Sequence, residues 1–272
     1  MKIQTLHLVY FSPTGTTRKT LEHIARGTGV GNIVHHDVTR PGNVPAEKML
    51  FPPDEMVFIG APVYAGRLPD VAAERLRMFG SSGSPTVVAV VYGNRDYEDA
   101  LLELGELAAG TGFVVIAGGA FIGEHSYSTA ETPIAAGRPD VGDEEKAEEF
   151  GRDVMDLFRA ISKPDEIESP ELPGNHPYRD KPQHPVVTPQ TDTELCTLCG
   201  ECVTACPVGA ISINGMVTSD AASCILCCAC IKNCPEQARA MTDPAIEKIT
   251  ARVRGLTILR KEPVMFPGRI AS

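Results

Sequence analysis

Two cysteine runs constrain this chain more than any other feature of its sequence. All nine cysteines fall between residues 196 and 234, and eight of them form two runs with one spacing, C-x2-C-x2-C-x3-C-P. The first run ends at Pro207, and the second repeats it 28 positions later and ends at Pro235. A repeat of this kind predicts a pair of half-modules related by pseudo-symmetry.

The spacing resembles that of bacterial two-cluster ferredoxins, in which three close cysteines hold one 4Fe-4S cluster and the fourth reaches the other cluster. The resemblance implies two ligand sets: Cys196, Cys199, Cys202 and Cys234 for the first cluster, and Cys224, Cys227, Cys230 and Cys206 for the second. Cys228 lies outside this register. It is predicted to be a small buried apolar residue beside the second cluster, with a spare ligand or a redox-sensitive thiol as alternatives.

Zinc and disulfides are the alternatives to clusters. Zinc also takes paired C-x2-C units, but neither run consists of two isolated pairs, and each fourth cysteine precedes a proline. An odd number of cysteines argues against a disulfide framework. Between the runs, Asn214 and Gly215 separate residues 211–213 from 216–218, which predicts a β-hairpin, and a short antiparallel ribbon is expected beside each cluster.

In front of the cysteines, apolar runs alternate with amphipathic segments. Strands are predicted at residues 6–11, 32–38, 56–61, 86–91 and 113–117, and helices at 18–26, 70–79, 98–109 and 144–160. Five alternations of strand and helix predict an α/β fold with a doubly wound parallel sheet. Ligands of such sheets bind beyond the carboxyl ends of the strands.

The loop after the first predicted strand is rich in hydroxyl groups. It contains Ser12, Thr14, Gly15, Thr16 and Thr17, and a helix follows it. The free amides and the dipole of a helix N-terminus favour a phosphate group, and the loop matches neither of the common nucleotide-binding glycine motifs. A phosphate monoester held by amides and hydroxyls is therefore predicted, with a well-capped helix as the alternative.

The alternation and this loop make the front of the chain resemble a flavodoxin. The resemblance implies five parallel strands in the order 2-1-3-4-5 and bound FMN. Tyr64 and Tyr97 occupy loop positions where flavodoxins place aromatic rings against the flavin, and the chain has no Trp. The expected FMN-binding residues are Ser12, Thr14, Gly15, Thr16, Thr17, Pro62, Val63, Tyr64, Gly66, Tyr92, Gly93, Asn94 and Tyr97. Arg95 replaces part of the usual acidic loop, and a positive charge there favours reduced, anionic flavin.

His125 and Tyr127 lie in a polar segment after the fifth predicted strand. Both side chains are candidate proton donors at the flavin. For His125 the reason is that the ordinary pKa of histidine lies near neutral pH. A loop residue that only forms hydrogen bonds is the alternative for His125.

The expected divisions are a flavodoxin-like FMN-binding domain at 1–161, a linker at 162–190, a two-cluster ferredoxin domain at 191–243, and a C-terminal helix and docking tail at 244–272. The linker has seven prolines and is predicted to be an extended, stiff tether. A helix is predicted at 245–254. The apolar residues after it are expected to pack on the cluster module, the front domain or a second subunit.

The net charge of -10 disfavours nucleic acid as a partner and favours redox proteins with basic docking faces. No apolar run is long enough to span a membrane, and no export signal is recognisable. Cysteines kept as thiolates then predict a cytoplasmic, reducing environment.

The whole chain resembles fused flavodoxin and two-cluster ferredoxin proteins of anaerobic microbes. The resemblance implies an electron-transfer iron-sulfur flavoprotein that passes single electrons between two 4Fe-4S clusters and FMN, and exchanges them with protein partners. A flavin-dependent reductase of a small substrate, fed by the clusters, is the main alternative. An iron-sulfur redox sensor is the second alternative.

Overall fold

The computed structural model describes residues 3–163, 166–183 and 185–271. The remaining positions belong to the predicted front domain, linker and tail and lie outside the described residues; they are 1–2, 164–165, 184 and 272. Among the helices that are described, none combines the length and apolar character that a crossing of a membrane requires.

The helices and strands are numbered in chain order. The helices are α1 Thr16–Thr28, α2 Asp70–Leu76, α3 Ala100–Gly110, α4 Val141–Arg159, α5 Glu201–Ala205, α6 Ala229–Lys232 and α7 Pro244–Leu256, with a 3-10 turn at Pro41–Asn43. The strands are β1 Thr5–Tyr10, β2 Asn32–Asp37, β3 Met49–Phe51, β4 Met56–Pro62, β5 Phe79–Ser81, β6 Pro85–Tyr92, β7 Val114–Ile122, β8 Ile167–Glu168, β9 Gln190–Thr191, β10 Ile211–Ile213, β11 Val217–Ser219, β12 Arg239–Ala240, β13 Val264–Pro267 and β14 Arg269–Ile270.

The main sheet has the order β13-β7-β6-β4-β1-β2. Its five front strands are parallel and follow the order 2-1-3-4-5 when they are numbered among themselves. This is the order of a flavodoxin-like doubly wound sheet. The predicted fold class of the front of the chain is therefore confirmed.

A sixth strand comes from the tail. β13 pairs antiparallel with β7, from Val264 opposite Ala120 to Pro267 opposite Ala117. β7 extends beyond the predicted strand at 113–117. It continues to Ile122 because the glycines make room for neighbours: a Cβ at Gly118 would collide with the side chain of Leu172, and one at Gly119 with the ring of Phe121.

A second small parallel pair was not predicted. β3 pairs with β5, with Met49 opposite Phe79 and Phe51 opposite Ser81. The helix predicted at residues 70–79 therefore ends at Leu76. Phe51 and Phe79 stack with ring centroids 6.2 Å apart, so aromatic packing favours the strand at Phe79.

Helices cover both faces of the main sheet. α1 and α4 bury Leu21, Ile24 and Phe150 on one face, while α2 and α3 bury a second set on the other. α1 and α4 approach each other closely because Gly151 meets the backbone carbonyl of Ile24, where a Cβ would not fit. The strands are left with apolar contacts on both sides, as parallel sheets require.

The proline-rich linker is not a free tether. The amide of Asn175 donates to Asp99 Oδ1 at 2.9 Å, and the amide of Arg179 donates to Asp99 Oδ2 at 2.7 Å. The guanidinium of Arg67 lies 4.4 Å above the ring of Tyr178. The segment has few regular elements, as its prolines predict, but these contacts fix it along the front domain because several of its polar groups find partners there.

The cysteine-rich part is built from short elements. β10 and β11 form the hairpin around Asn214 and Gly215, and β12 pairs antiparallel with β9. Arg75 of α2 donates to the carbonyl of Pro207 at 2.6 Å and links this module to the front domain. The predicted second hairpin strand, 216–218, is shifted by one residue, because Met216 accepts a turn hydrogen bond from Asn214.

Candidate functional site

A cavity of about 390 Å³ lies at the carboxyl ends of the parallel strands. Its volume falls within the range of small-molecule sites, roughly 300–1,000 Å³. The front-domain part of its wall comes from the loops after β1, β4, β6 and β7, with Thr14, Thr16, Pro62, Val63, Tyr64, Ala65, Val91, Tyr92, Gly93, Arg95, Gly123, Glu124, His125, Ser126 and Tyr127. Four loops that are distant in sequence therefore converge on one site.

The loop after β1 presents free polar groups at the start of α1. Gly15 is the N-cap, with φ of 84°, and has no side chain that could cap the helix. Of the first-turn amides, that of Arg18 donates to Ser12 Oγ. Thr14 and Thr16 line the cavity. The hydroxyl of Thr17 is buried and has no hydrogen-bond partner, and a buried polar group without a partner is costly. A phosphate at this helix N-terminus would satisfy both the amides and the hydroxyl.

Three of the predicted phosphate-binding residues of this loop do not line the cavity, namely Ser12, Gly15 and Thr17. Ser12 accepts a hydrogen bond from the amide of Arg18 at 3.0 Å, and its own amide donates to Thr39 at 2.8 Å. Ser12 therefore shapes the loop. Gly15 contributes its positive φ, a conformation that glycine adopts without strain.

The aromatic part of the wall differs from the predicted pair. Tyr64 and Tyr92 line the cavity, whereas Tyr97 packs edge-on against Tyr92 with ring centroids 5.4 Å apart. Burial raises the pKa of Tyr92 to about 12, so its hydroxyl stays protonated at neutral pH. Tyr97 therefore supports Tyr92 and does not itself reach the cavity wall.

Asn94 and Gly66 also lie outside the wall. Asn94 is buried, and its amide donates to the carbonyls of Thr257 and Leu259, at 2.9 Å in each case. Its side-chain oxygen accepts the amide of Lys261 at 2.8 Å. Asn94 anchors the tail, while Gly66 leaves space for the carboxylate of Glu98, where a Cβ would collide.

His125 and Tyr127 both line the cavity. Nδ1 of His125 accepts the backbone amide of Tyr127 at 3.1 Å. Burial lowers the pKa of His125 to about 4, and the charges of Arg95 and Lys232 act in the same direction. At neutral pH the imidazole is therefore neutral with its proton on Nε2, and it is a hydrogen-bond donor.

The other part of the wall was missed by sequence reasoning. The linker contributes Arg179, Pro182, Gln183 and Pro185, and α7 contributes Ile249, Arg252, Val253 and Leu256. Ile249, Val253 and Leu256 recur at helical spacing, which was a recognisable signal of an apolar face. Nothing local in the sequence showed that this face covers the site, because the contact joins segments far apart in the chain.

The described cysteines separate into two groups around two further cavities. The first cavity is lined by Cys196, Cys199, Cys202 and Cys234. The second is lined by Cys206, Cys224, Cys227 and Cys230, together with Cys228. In the described part of the chain, no three His, Cys, Asp or Glu side chains converge as they would around a single metal ion.

The two groups share their backbone geometry. The amide of Ala210 donates to Cys206 Sγ and that of Ala238 to Cys234 Sγ, at 3.3 Å in both cases. Cys228 takes the position that Gly200 holds in the first half, and both have positive φ. The Cys228 side chain is buried, with 2% of its surface exposed, which agrees with the predicted packing role.

The second group adjoins the large cavity. Tyr64 packs against Cys227, Ala229 and Ile225, and Ile225 and Leu226 also line the large cavity. One layer of side chains therefore separates the two spaces. The cavity of the first group shares no lining residue with the large cavity, and Cys199 is exposed.

Residues 189–212 match the 4Fe-4S binding domain family. A search of curated proteins gave no match. Among solved structures, a flavodoxin from the domain Archaea is similar, with 12% identity, a TM-score of 0.36, and coverage of 57% of this chain and 99% of that chain. The Streptococcus pneumonia TIGR4 flavodoxin gives 16% identity, a TM-score of 0.38, and coverage of 58% and 99%.

The rubredoxin oxygen:oxidoreductase from the anaerobe Desulfovibrio gigas is similar over a smaller share of its length. Its identity is 12%, its TM-score is 0.39, and the match covers 58% of this chain and 36% of that chain. All of these TM-scores are below 0.5, so the fold assignment depends on the strand order described above.

A flavodoxin-like sheet in front of a 4Fe-4S binding domain confirms the predicted combination of the two kinds of module. The combination supports an iron-sulfur and flavin electron-transfer protein.

Proposed function

We propose that this protein binds FMN in the large cavity and one 4Fe-4S cluster in each cysteine-lined cavity, and that it relays single electrons between FMN and protein partners in anaerobic metabolism. The observation that carries the proposal is the shared wall at Tyr64, Ile225 and Leu226. It brings the second cysteine group next to the predicted flavin site, as direct electron exchange requires.

The residues present fit FMN. The start of α1 offers uncapped amides and the unpartnered hydroxyl of Thr17 for a phosphate group. Tyr64, Tyr92 and apolar side chains of α7 offer flat apolar surface for a ring system. Three of the predicted residues act indirectly. Tyr97 packs against Tyr92, Asn94 anchors the tail, and Gly66 leaves space for Glu98.

The two cysteine groups are the proposed ligand sets of the two clusters. Each cavity is bordered by three cysteines of one run and the fourth of the other run, as two-cluster ferredoxins require. Backbone amides that donate to Cys206 and Cys234 would orient the sulfurs of these ligands.

The bound cofactors would supply the redox chemistry, with single electrons at each cluster and one or two at the flavin. The protein fixes their order. The second cluster would lie nearer to the flavin, and the first would lie beside exposed Cys199, Leu195 and Leu198. Exposed carboxylates surround this end of the module, namely Glu194, Glu201 and Glu236. A redox protein with a basic face around an apolar centre fits such a surface.

Two analyses of protein purified without oxygen test the cofactors. About eight iron atoms per FMN, with flavin absorption above a broad iron-sulfur shoulder, is the expected result. Electrons added to the clusters are expected to appear on the flavin within one molecule. Colourless protein containing zinc would contradict the proposal.

A matched pair of variants tests the flavin site. Thr17 and Thr20 both lie in α1 and both bury a hydroxyl without a partner, but only Thr17 belongs to the phosphate loop. Thr17→Val is expected to weaken FMN binding about tenfold, because it removes a hydrogen bond to a charged group. Thr20→Val is the control. Riboflavin, which lacks the phosphate, is expected to bind equally to all three proteins, and equal FMN affinities would refute the assignment.

One observation favours a second function. His125 lines the same cavity as a neutral hydrogen-bond donor through Nε2, which suits a reductase that polarises and orients a small substrate. Turnover of a small acceptor that is lost in His125→Gln, while electron transfer to the flavin persists, would establish this function. Unchanged turnover in that variant would exclude His125 as the donor.

A further inference from the structure

Arg239 is a buried cation between the two cysteine groups. It begins β12 and exposes only 3% of its surface. It borders both cysteine-lined cavities. Within the described residues it forms no ion pair with Asp or Glu, although arginine is rarely buried without a charged partner.

Neutral groups hold the guanidinium in place. Nη1 donates to Thr191 Oγ1 at 2.7 Å, and Nη2 donates to the carbonyl of Pro189 at 3.1 Å and to Ser219 Oγ at 2.8 Å. Nε is buried and has no partner. An uncompensated buried charge destabilises a protein. Negative charge near Arg239 must therefore come from a group other than a carboxylate.

The cysteines are the groups that face Arg239. Arg239 lines one cavity together with Cys202 and the other cavity together with Cys224 and Cys230. Cys202 belongs to the first group, and the other two belong to the second. The positive charge therefore lies beside both groups. Nη2 contacts Pro189 and Ser219, which border the second cavity and not the first, so the guanidinium lies on the side of the second group.

The fold does not require an arginine at this position. In the first half of the repeat, 28 positions earlier, the equivalent residue is Ile211, which also begins a short strand. Ile211 is buried, with 7% of its surface exposed. The same backbone therefore accepts an apolar side chain, and the arginine breaks the symmetry between the halves.

We propose that Arg239 is a shared counter-charge for both clusters and raises their reduction potentials, with the larger effect on the second cluster. The inference rests on the proposed function. Reduction adds one electron to a cluster and makes it more negative. A fixed cation in a medium of low dielectric constant stabilises that state more than the oxidised one. The second cluster, next to the flavin site, would then hold an electron more readily than the first.

Redox titrations followed by electron paramagnetic resonance test this inference on the complete protein. Iron analysis of the wild type comes first, because fewer than about eight irons would refute the two-cluster proposal itself. In Arg239→Gln, the equilibrium constant for one-electron reduction of the second cluster is expected to fall about tenfold, which is about 59 mV. A smaller fall is expected at the first cluster.

Two further variants complete the test. Arg239→Lys retains the charge and is expected to restore most of the loss, whereas Arg254→Gln removes a charge from the exposed face of α7 and should change neither potential. Unchanged potentials in Arg239→Gln, or equal shifts in Arg254→Gln, would overturn the proposal. If Arg239→Gln does not hold its clusters, Arg239→Met replaces it, and failure of both to retain about eight irons would assign Arg239 a structural role instead.

Discussion

The two halves of the cysteine repeat have the same backbone but different surroundings. Leu198 and Leu226 occupy equivalent positions with φ of 56° and 55°. Gly209 and Gln237 form another equivalent pair, also with positive φ. Positive φ, which costs energy in a residue other than glycine, therefore occurs at equivalent positions in both halves. The backbone geometry of the cysteine loops is the common feature of the repeat.

The side chains around the ligands differ. In the first half, Leu195, Leu198 and Cys199 are exposed. In the second, Cys227, the equivalent of Cys199, is buried, and Leu226, the equivalent of Leu198, lines the large cavity. The comparison teaches that repetition specifies where the sulfurs lie, while substitutions at equivalent positions decide what each half contacts.

The largest effect is expected when one ligand is removed from each half. Cys199→Ala and Cys227→Ala should each lower the iron content from about eight toward about four atoms per chain. Only Cys227→Ala should abolish electron passage to the flavin, because its cluster adjoins Tyr64. Iron analysis and rapid-mixing absorption at the flavin band measure both quantities.

Cys228→Ala is the matched control for this pair. Cys228 borders the second cavity but falls outside the ligand register, so the variant should keep about eight irons. Equal loss of flavin reduction in Cys199→Ala and Cys227→Ala would contradict the proposed order of the clusters.

These expectations show which parts of the molecule the sequence could predict. Three cysteines of each group follow from local spacing, because two-residue gaps hold three thiolates in one short loop. The resemblance to two-cluster ferredoxins implied the fourth. The parallel order follows from alternating strands and helices. Both signals lie within short segments, so no tertiary contact was needed to recognise them.

The missed parts depend on contacts between distant segments. Asn94 was expected at the flavin, but Thr257 and Leu259 use its amide, and no pattern near Asn94 indicates a partner so far along the chain. The placement of Tyr92 in the wall in place of Tyr97 depends on how the loop after β6 turns. For Arg239 the only signal was its mismatch with Ile211 across the repeat.

A smaller effect on the free energy of unfolding is expected from pH. It arises at His125, in the loop after β7 that contacts the second half of the cysteine repeat. Lys232, Arg95, Glu124 and Tyr127 surround His125, whose pKa burial lowers to about 4. Unfolded histidine titrates near 6.5, so the unfolded state binds more protons between these values. The stability that neutral His125 contributes is complete above pH 6.5 and is lost as the pH falls toward 4.

The expected loss from His125 is about 1 kcal/mol between about pH 7 and pH 5.5. Urea unfolding of wild type and His125→Gln at both pH values measures it, and the variant should show the flatter dependence. His176→Gln, at an exposed histidine of the linker, is the control. If the free energy of unfolding changes with pH equally in wild type and His125→Gln, His125 is not the source of the pH dependence.

The smallest effect is expected at Lys232, whose equivalent in the first half is Thr204. Its Nζ lies 2.8 Å from Glu124 Oε1 and donates to the carbonyl of Ser128 at 2.8 Å. The two side chains are 31% and 30% exposed, so salt screens the pair only in part. Lys232→Gln should therefore lower the free energy of unfolding by about 0.5–1 kcal/mol at low salt, and by less at high salt.

Lys248→Gln provides a matched loss of charge on the exposed surface of α7. A double-mutant cycle with Glu124→Gln isolates the pair from other effects of each substitution. A coupling energy near zero, or equal losses in Lys232→Gln and Lys248→Gln, would show that the second half is held against the front domain by apolar contacts alone. Coupling that weakens with salt would instead show that Lys232 provides a polar attachment to the front domain at a position where the first half has threonine.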